Sequence, residues 1–238
     1  HRGDGIGRVV EAIGVVEAKP EGYTLRGVED QSGKYLAGLP DALPTWGKPL
    51  PFAYESTGIE TRFTNSLEPD ARSREVFAFH RPETLVEWAK ASDSFRHRLI
   101  HLPPLPTEGL WPAQLKAINN LEKSLQENRP RSLIQMATGS GKTFTAVNIA
   151  YRLIRYGKAR RVLFLVDRAN LGRQTLKEFQ QFRTPDDGRL FSELYNIQHL
   201  QSNSLDTVSR VCITTIQRLY SMLKGENEFA ADADEQSI

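Results

Sequence analysis

The 238-residue sequence predicts an α/β protein in two parts, residues 1–104 and 105–238. Three observations carry that prediction. Beyond residue 105, short apolar or β-branched runs alternate with runs of helical period, as in a parallel sheet with helices packed on it. Before it, short runs of alternating or aromatic content are separated by Gly, Pro and Asn and read as strands. Between the two, the prolines of "HLPPLPTEGLWP" supply no backbone donor, so this stretch from His101 reads as a linker.

In chain order, "GRVVEAIGVVEAK", "PFAYES", "TRFTN" and "EVFAFH" are the expected strands of the first part. The second part opens on "WPAQLKAINNLEKSLQEN", where Pro112 suits a first helical position and Leu115, Ile118, Leu121 and Leu125 share one side, so a helix is expected. "SLIQM", "RVLFLVD", "LYNI" and "RVCITT" are the expected parallel strands, and "KTFTAVNIAYRLIRYG" and "ANLGRQTLKEFQQF" the helices that follow the first two. No internal repeat or low-complexity tract interrupts them.

Composition excludes several classes. A hydrophobic fraction of 39% and a charged fraction of 25% are ordinary for a globular protein. No apolar run approaches the ~20 residues of a membrane helix, so no membrane role is expected. Cys212 is the only cysteine, which rules out an internal disulfide or a multi-cysteine zinc site and suits a reducing, cytoplasmic setting. A formal net charge of +2 does not argue for nucleic acid by itself. The basic cluster "RYGKARR" from Arg155 reads as solvation of a helix end.

The most specific chemistry lies in "MATGSGKT". Gly139 and Gly141 allow a turn in which successive N–H groups point inward, and the following helix adds its positive end. Anionic oxygen is held there, with Lys142 reaching β- and γ-phosphates and the Thr143 hydroxyl ligating Mg²⁺; Thr138 and Ser140 complete the loop. The strict phosphate-loop pattern has Gly where this chain has Met136.

"ATGSGKT" resembles motif I of superfamily 2 helicases and translocases, and its neighbours agree. Gln114, in "WPAQLKAI", resembles that superfamily's adenine-recognising glutamine, and its amide pairs a donor with an acceptor, as an adenine edge requires. "VLFLVDRANLGRQ" and "CITTIQRL" are similar to motifs Ia and Ib, which grip the nucleic-acid backbone. Arg168, Gln174, Thr215 and Gln217 are polar residues at strand ends or helix starts within them, where phosphate contacts are commonly made.

In the first part, Glu17-x-Lys19 ends an apolar run, and period-two alternation puts both on one strand face. An acid and a lysine so placed suit phosphodiester hydrolysis, the acid holding Mg²⁺ and the lysine assisting the water or the developing charge. Alone the pattern is weak. It is followed by Gln31 and Tyr35, four apart and so on one helical face. E-x-K followed by Q-x-x-x-Y resembles a RecB-like nuclease of the PD-(D/E)xK type. Together with "YESTGIETRFTN", "REVFAFHRPETL" and "IQMATGSGKTFTAV", it resembles the restriction and motor subunit of type I restriction enzymes over nearly the whole chain.

That resemblance implies a partial nuclease domain followed by an incomplete RecA-like lobe, an enzyme that uses ATP and Mg²⁺ to drive double-stranded DNA and cut it. It also implies methyltransferase and specificity subunits as partners. Glu17 would hold metal, Lys19 would be catalytic, and Gln31 and Tyr35 would support them. Asp4 is the nearest residue to the family's first metal-holding acid. No DEAH-like pair follows an apolar strand, since Asp234-Glu235 sits in the acidic "AADADEQSI", and a second lobe is missing. The chain therefore reads as a fragment that binds ATP and DNA. Another superfamily 2 helicase, or a non-catalytic nucleotide- or DNA-binding remnant, is the alternative.

Overall fold

Period-two alternation shapes the first unit of the computed structural model, which describes residues 11–25, 27, 29–91, 93–129 and 131–225. Packing divides the chain into two units, His1–His97 and Arg98–Ile238. The first holds β1 (Gly14–Ala18), α1 (Glu29–Ala37), β2 (Phe52–Ser56), β3 (Thr61–Asn65), β4 (Arg74–Val76) and α2 (Pro82–Lys90). The strands form one sheet in the order β1-β2-β3-β4. β1 and β2 are parallel, joined through α1 as a parallel pair requires, and the remaining pairs are antiparallel.

Every residue of β2 is buried, because both faces of the strand are covered. Phe52 and Tyr54 pack with Phe63 and Leu85, flanked by Trp88 of α2. On the other face Ala53 meets Leu36 and Leu50, with Val15 of β1 beside them. That second face is the α1 side of the sheet, and Glu17 and Glu55 share it by alternation.

A short α3 (Phe95–Ile100) leads into the second unit, which holds α4 (Pro112–Gln126), α5 (Lys142–Arg155), β5 (Val162–Val166), α6 (Ala169–Gln181), α7 (Phe191–Leu194), β6 (Ile197–His199), β7 (Val211–Thr215) and α8 (Ile216–Lys224). Its three strands are parallel in the order β5-β7-β6. The core joins Val147, Ala150, Tyr151 and Ile154 of α5 to Phe179 of α6, Phe191 of α7, and Val211 and Ile213 of the central strand. Arg152 is buried between α5 and α4, its guanidinium held by Glu122 and by the Pro103 carbonyl of the linker.

Several expectations need correction. "SLIQM" is not a strand: residues 132–136 are irregular, and Leu133 is 95% exposed. A strand exists only where a neighbour pairs with it, and none among the described residues does so here. For the same reason the expected covering is incomplete, since β5 is at an edge with Leu163 and Leu165 roughly half exposed on one face. "EVFAFH" is a strand only as far as Val76, and the strand expected at "LYNI" starts at Ile197 because α7 takes Leu194. Helices α2, α3, α7 and α8 add to those expected from the sequence.

Candidate functional site

The glycine-rich loop stands at the start of α5 as the sequence predicts. Gly139 and Gly141 adopt φ of +80° and +79°, the left-handed region that glycine enters without a Cβ penalty. Gly141 is the N-cap of α5. The N–H groups of Gly141, Lys142 and Thr143 donate to no protein acceptor among the described residues. Orphan amides at a helix N-terminus are the physical basis of an anion site, so the chain's own donors fit a nucleotide's phosphates.

Side chains brace the loop. The Ser140 hydroxyl donates to the Ala137 carbonyl at 2.6 Å, and the Lys142 ammonium donates to the same oxygen at 3.2 Å from an exposed position. Thr143 is half-buried on the first turn, and Thr138 is exposed in the loop. Thr145 donates its hydroxyl to the Gly141 carbonyl at 2.9 Å.

Gln114 is 5% exposed and tied in at both ends. Its Oε1 accepts the Trp111 N–H at 2.9 Å, and its Nε2 donates to the Ser140 carbonyl at 3.3 Å. Gln114 therefore links the start of α4 to the glycine-rich loop. One amide hydrogen and one lone pair remain for another partner. A Cβ added at Gly141 would run into this amide nitrogen, so the glycine is needed for space as well as for φ.

The polar residues of the sheet lie at one end of it. Val166 and Thr215 are in register at the ends of β5 and β7, which puts Arg168 and Gln217, both exposed, beyond the same edge. Gln174 is exposed on α6. Thr215, buried at the end of β7, caps α8, its hydroxyl accepting the Arg218 N–H at 3.2 Å. The sequence did not single out His199, at the end of β6. Its imidazole is held below the ordinary histidine value by burial and by the nearby charges of Arg173 and Arg218. Gly172 of α6 packs so closely on it that a Cβ there would lie 2.6 Å from His199 Nε2.

In the first unit, Glu17 and Lys19 form an ion pair of 2.7 Å with both side chains largely shielded. The Lys19 ammonium is held above its usual value, first by this hydrogen bond and then by the charges of Glu17, Tyr35 and Tyr23, with burial opposing. In this geometry Lys19 is a protonated donor. Tyr35 lies on α1, near enough to act on it electrostatically. The backbone of Gln31 is also in α1. Asp4 and the pair Asp234-Glu235 lie outside the described residues.

The sequence reading missed Glu55, which is in register with Glu17 on the neighbouring strand. It is 1% exposed; Oε2 accepts from Ser73 at 3.4 Å, and Oε1 has no hydrogen-bond partner among the described residues. The signal was available only as an acid inside the otherwise buried run "FAYES". Among the described residues no cluster of three or more His, Cys, Asp and Glu is arranged to hold a metal. Nor is any described helix long and apolar enough to cross a membrane.

The second unit is thus a parallel α/β unit with a glycine-rich loop and unpaired amides at the start of α5, the class of fold that presents an anion site at a helix N-terminus. The chain belongs to the family described as type III restriction enzyme, res subunit, whose model matches residues 108–238, or 131 of 238. It is also similar to endonuclease subunits of type I restriction enzymes. To the EcoKI subunit of Escherichia coli K12 it is 32% identical over 71% of this chain and 15% of that protein. To the EcoAI subunit of Escherichia coli it is 30% identical over 78% of this chain and 24% of that one. The chain thus spans less than a quarter of the length of these relatives. A solved fragment described as an HsdR subunit from Vibrio vulnificus matches with 21% identity and a TM-score of 0.37, covering 90% of this chain and 36% of that one.

Proposed function

We propose that the chain is the nuclease-and-motor portion of a type I restriction enzyme's endonuclease subunit, acting on double-stranded DNA with ATP and Mg²⁺ in a cytoplasmic complex with methyltransferase and specificity subunits. The observation that carries this reading is the presence, in one chain, of the shielded Glu17–Lys19 pair on a sheet and the donor-lined loop at the start of α5. The similarity to EcoKI and EcoAI endonuclease subunits supports it.

In the second unit the loop amides and Lys142 bind and orient the phosphates, Thr143 offers a hydroxyl to the magnesium ion, and Gln114 uses its remaining donor and acceptor on the adenine edge. Arg168, Gln174, Thr215 and Gln217 contact DNA phosphates at the sheet end, and Thr215 also caps the start of α8. In the first unit Glu17 holds a divalent cation, which when bound lowers the pKa of water and neutralises developing charge. Lys19, already protonated, donates to the phosphodiester oxygen, while Gln31 and Tyr35 support it from α1.

The test is ATP binding and hydrolysis, with and without duplex DNA, in the wild type and in Lys142→Ala. Binding that this change weakens by roughly tenfold or more, the size expected for a lost charge-assisted hydrogen bond, supports the reading. Unchanged binding in the variant defeats it. Mg²⁺-dependent nicking of plasmid DNA that persists in Glu17→Ala would remove the nuclease half.

A further inference from the structure

We propose that Glu55 is a second cation-holding carboxylate of the first unit, taking a divalent metal ion jointly with Glu17; the inference rests on the nuclease reading of that site. Glu17 and Glu55 face each other in register across the parallel pair β1–β2. Neighbouring strands are about 4.8 Å apart, so two in-register carboxylates on one face can be bridged by a single ion. Both belong to the α1 face: Ala53, two residues before Glu55, packs on Leu36 of α1, and Val15, two residues before Glu17, lies beside it.

Burial makes the second acid unusual. Glu55 is almost wholly inaccessible, yet among the described residues Oε1 has no hydrogen bond and Oε2 has only the long one from Ser73. A carboxylate removed from water needs a compensating charge. The cation in register with it across β2–β3 is Arg62, whose guanidinium is used elsewhere: Nε and Nη2 bond Ser73 and Nη1 bonds Glu60. Lys19 is paired with Glu17.

The donor set defines the ligand. Two carboxylates that no His or Cys joins in a metal-holding group among the described residues suit a hard cation that keeps most of its shell as water or phosphate oxygen, as Mg²⁺ or Mn²⁺ does. Ion binding would satisfy Oε1 and draw Glu17 from Lys19, leaving that ammonium to face the DNA phosphate.

The experiment uses Mn²⁺ alone on the nucleotide-free chain, followed by isothermal titration and by thermal unfolding. Wild type, Glu17→Gln and Glu55→Gln are compared, each also with chelator. The expected result is Mn²⁺ binding in the wild type and at least a tenfold loss of affinity in both variants. In chelator, Glu55→Gln should unfold at a higher temperature than the wild type, because an uncompensated buried charge has been removed. Wild-type Mn²⁺ affinity in Glu55→Gln, with loss in Glu17→Gln, would overturn this inference and leave the nuclease reading standing. Absence of Mn²⁺ binding in the wild type would overturn both. A lower unfolding temperature for Glu55→Gln in chelator would make Glu55 a structural counter-ion and also overturn it.

Discussion

Glycine is required at position 141 for two separate reasons, left-handed φ and the Gln114 amide at its back, whereas Gly139 has open space where a Cβ would go. Left-handed backbone costs a non-glycine residue roughly 1–2 kcal/mol. Gly139→Ala should therefore show about that loss of stability in chemical denaturation. Gly141→Ala should lose more, and should weaken ATP binding as Gln114 is displaced; equal effects of the two would contradict the packing described. His80 illustrates a different residue-level dependence. The Tyr54 hydroxyl accepts the His80 backbone N–H at 3.1 Å and lies 2.6 Å from Nδ1, so the ring is held half-buried against the tyrosine. Burial accordingly holds His80 below its ordinary 6.5. Below that pH the unfolded chain takes up a proton that the native ring resists, so stability is lost as pH falls from 6.5 through the lowered native value. Melting temperatures of wild type and His80→Phe between pH 7.5 and 5 should show this extra loss in the wild type alone.

Helix α4 is held to α5 by more than apolar contact. Arg152 and Glu122 join the two helices where the arginine is fully buried, and Pro103 fixes the linker to the same guanidinium. Removing one partner of a buried pair leaves the other uncompensated, at a cost of about 3–5 kcal/mol. Glu122→Ala should lower the denaturation free energy of the second unit by about that amount, and should loosen Gln114 at the other end of α4. How much of this was legible in the sequence depends on the range of the forces. Helices α4, α5 and α6 and strands β2, β3, β5 and β7 follow from local period and propensity, and the structure has them where the sequence indicates. The run "SLIQM" has strand composition too, but pairing is a long-range matter, and composition cannot provide the partner. Glu55 was hidden for the same reason, because its meaning comes from the register with Glu17 and from nothing in its own neighbours.

At the scale of the whole molecule, the loop and the acid–lysine pair belong to different packing units. A ligand stabilises only the state that binds it, by about 2.7 kcal/mol at a hundredfold excess over its dissociation constant. ATP should therefore raise the unfolding transition of the second unit and leave that of the first unmoved; calorimetry with nucleotide present reads both, and a joint shift would mean that the units unfold as one. The strand order of the second unit has a further consequence, which concerns synthesis. β7 lies at the centre of its sheet, between β5 and β6, yet it comes after both along the chain. Among the described residues, the two earlier strands have no other strand to pair with until it arrives. On the ribosome, then, the first of these strands waits for β7, which begins 45 residues after Val166 (211 − 166), before this sheet can close, exposing the apolar side chains of β5 in the meantime.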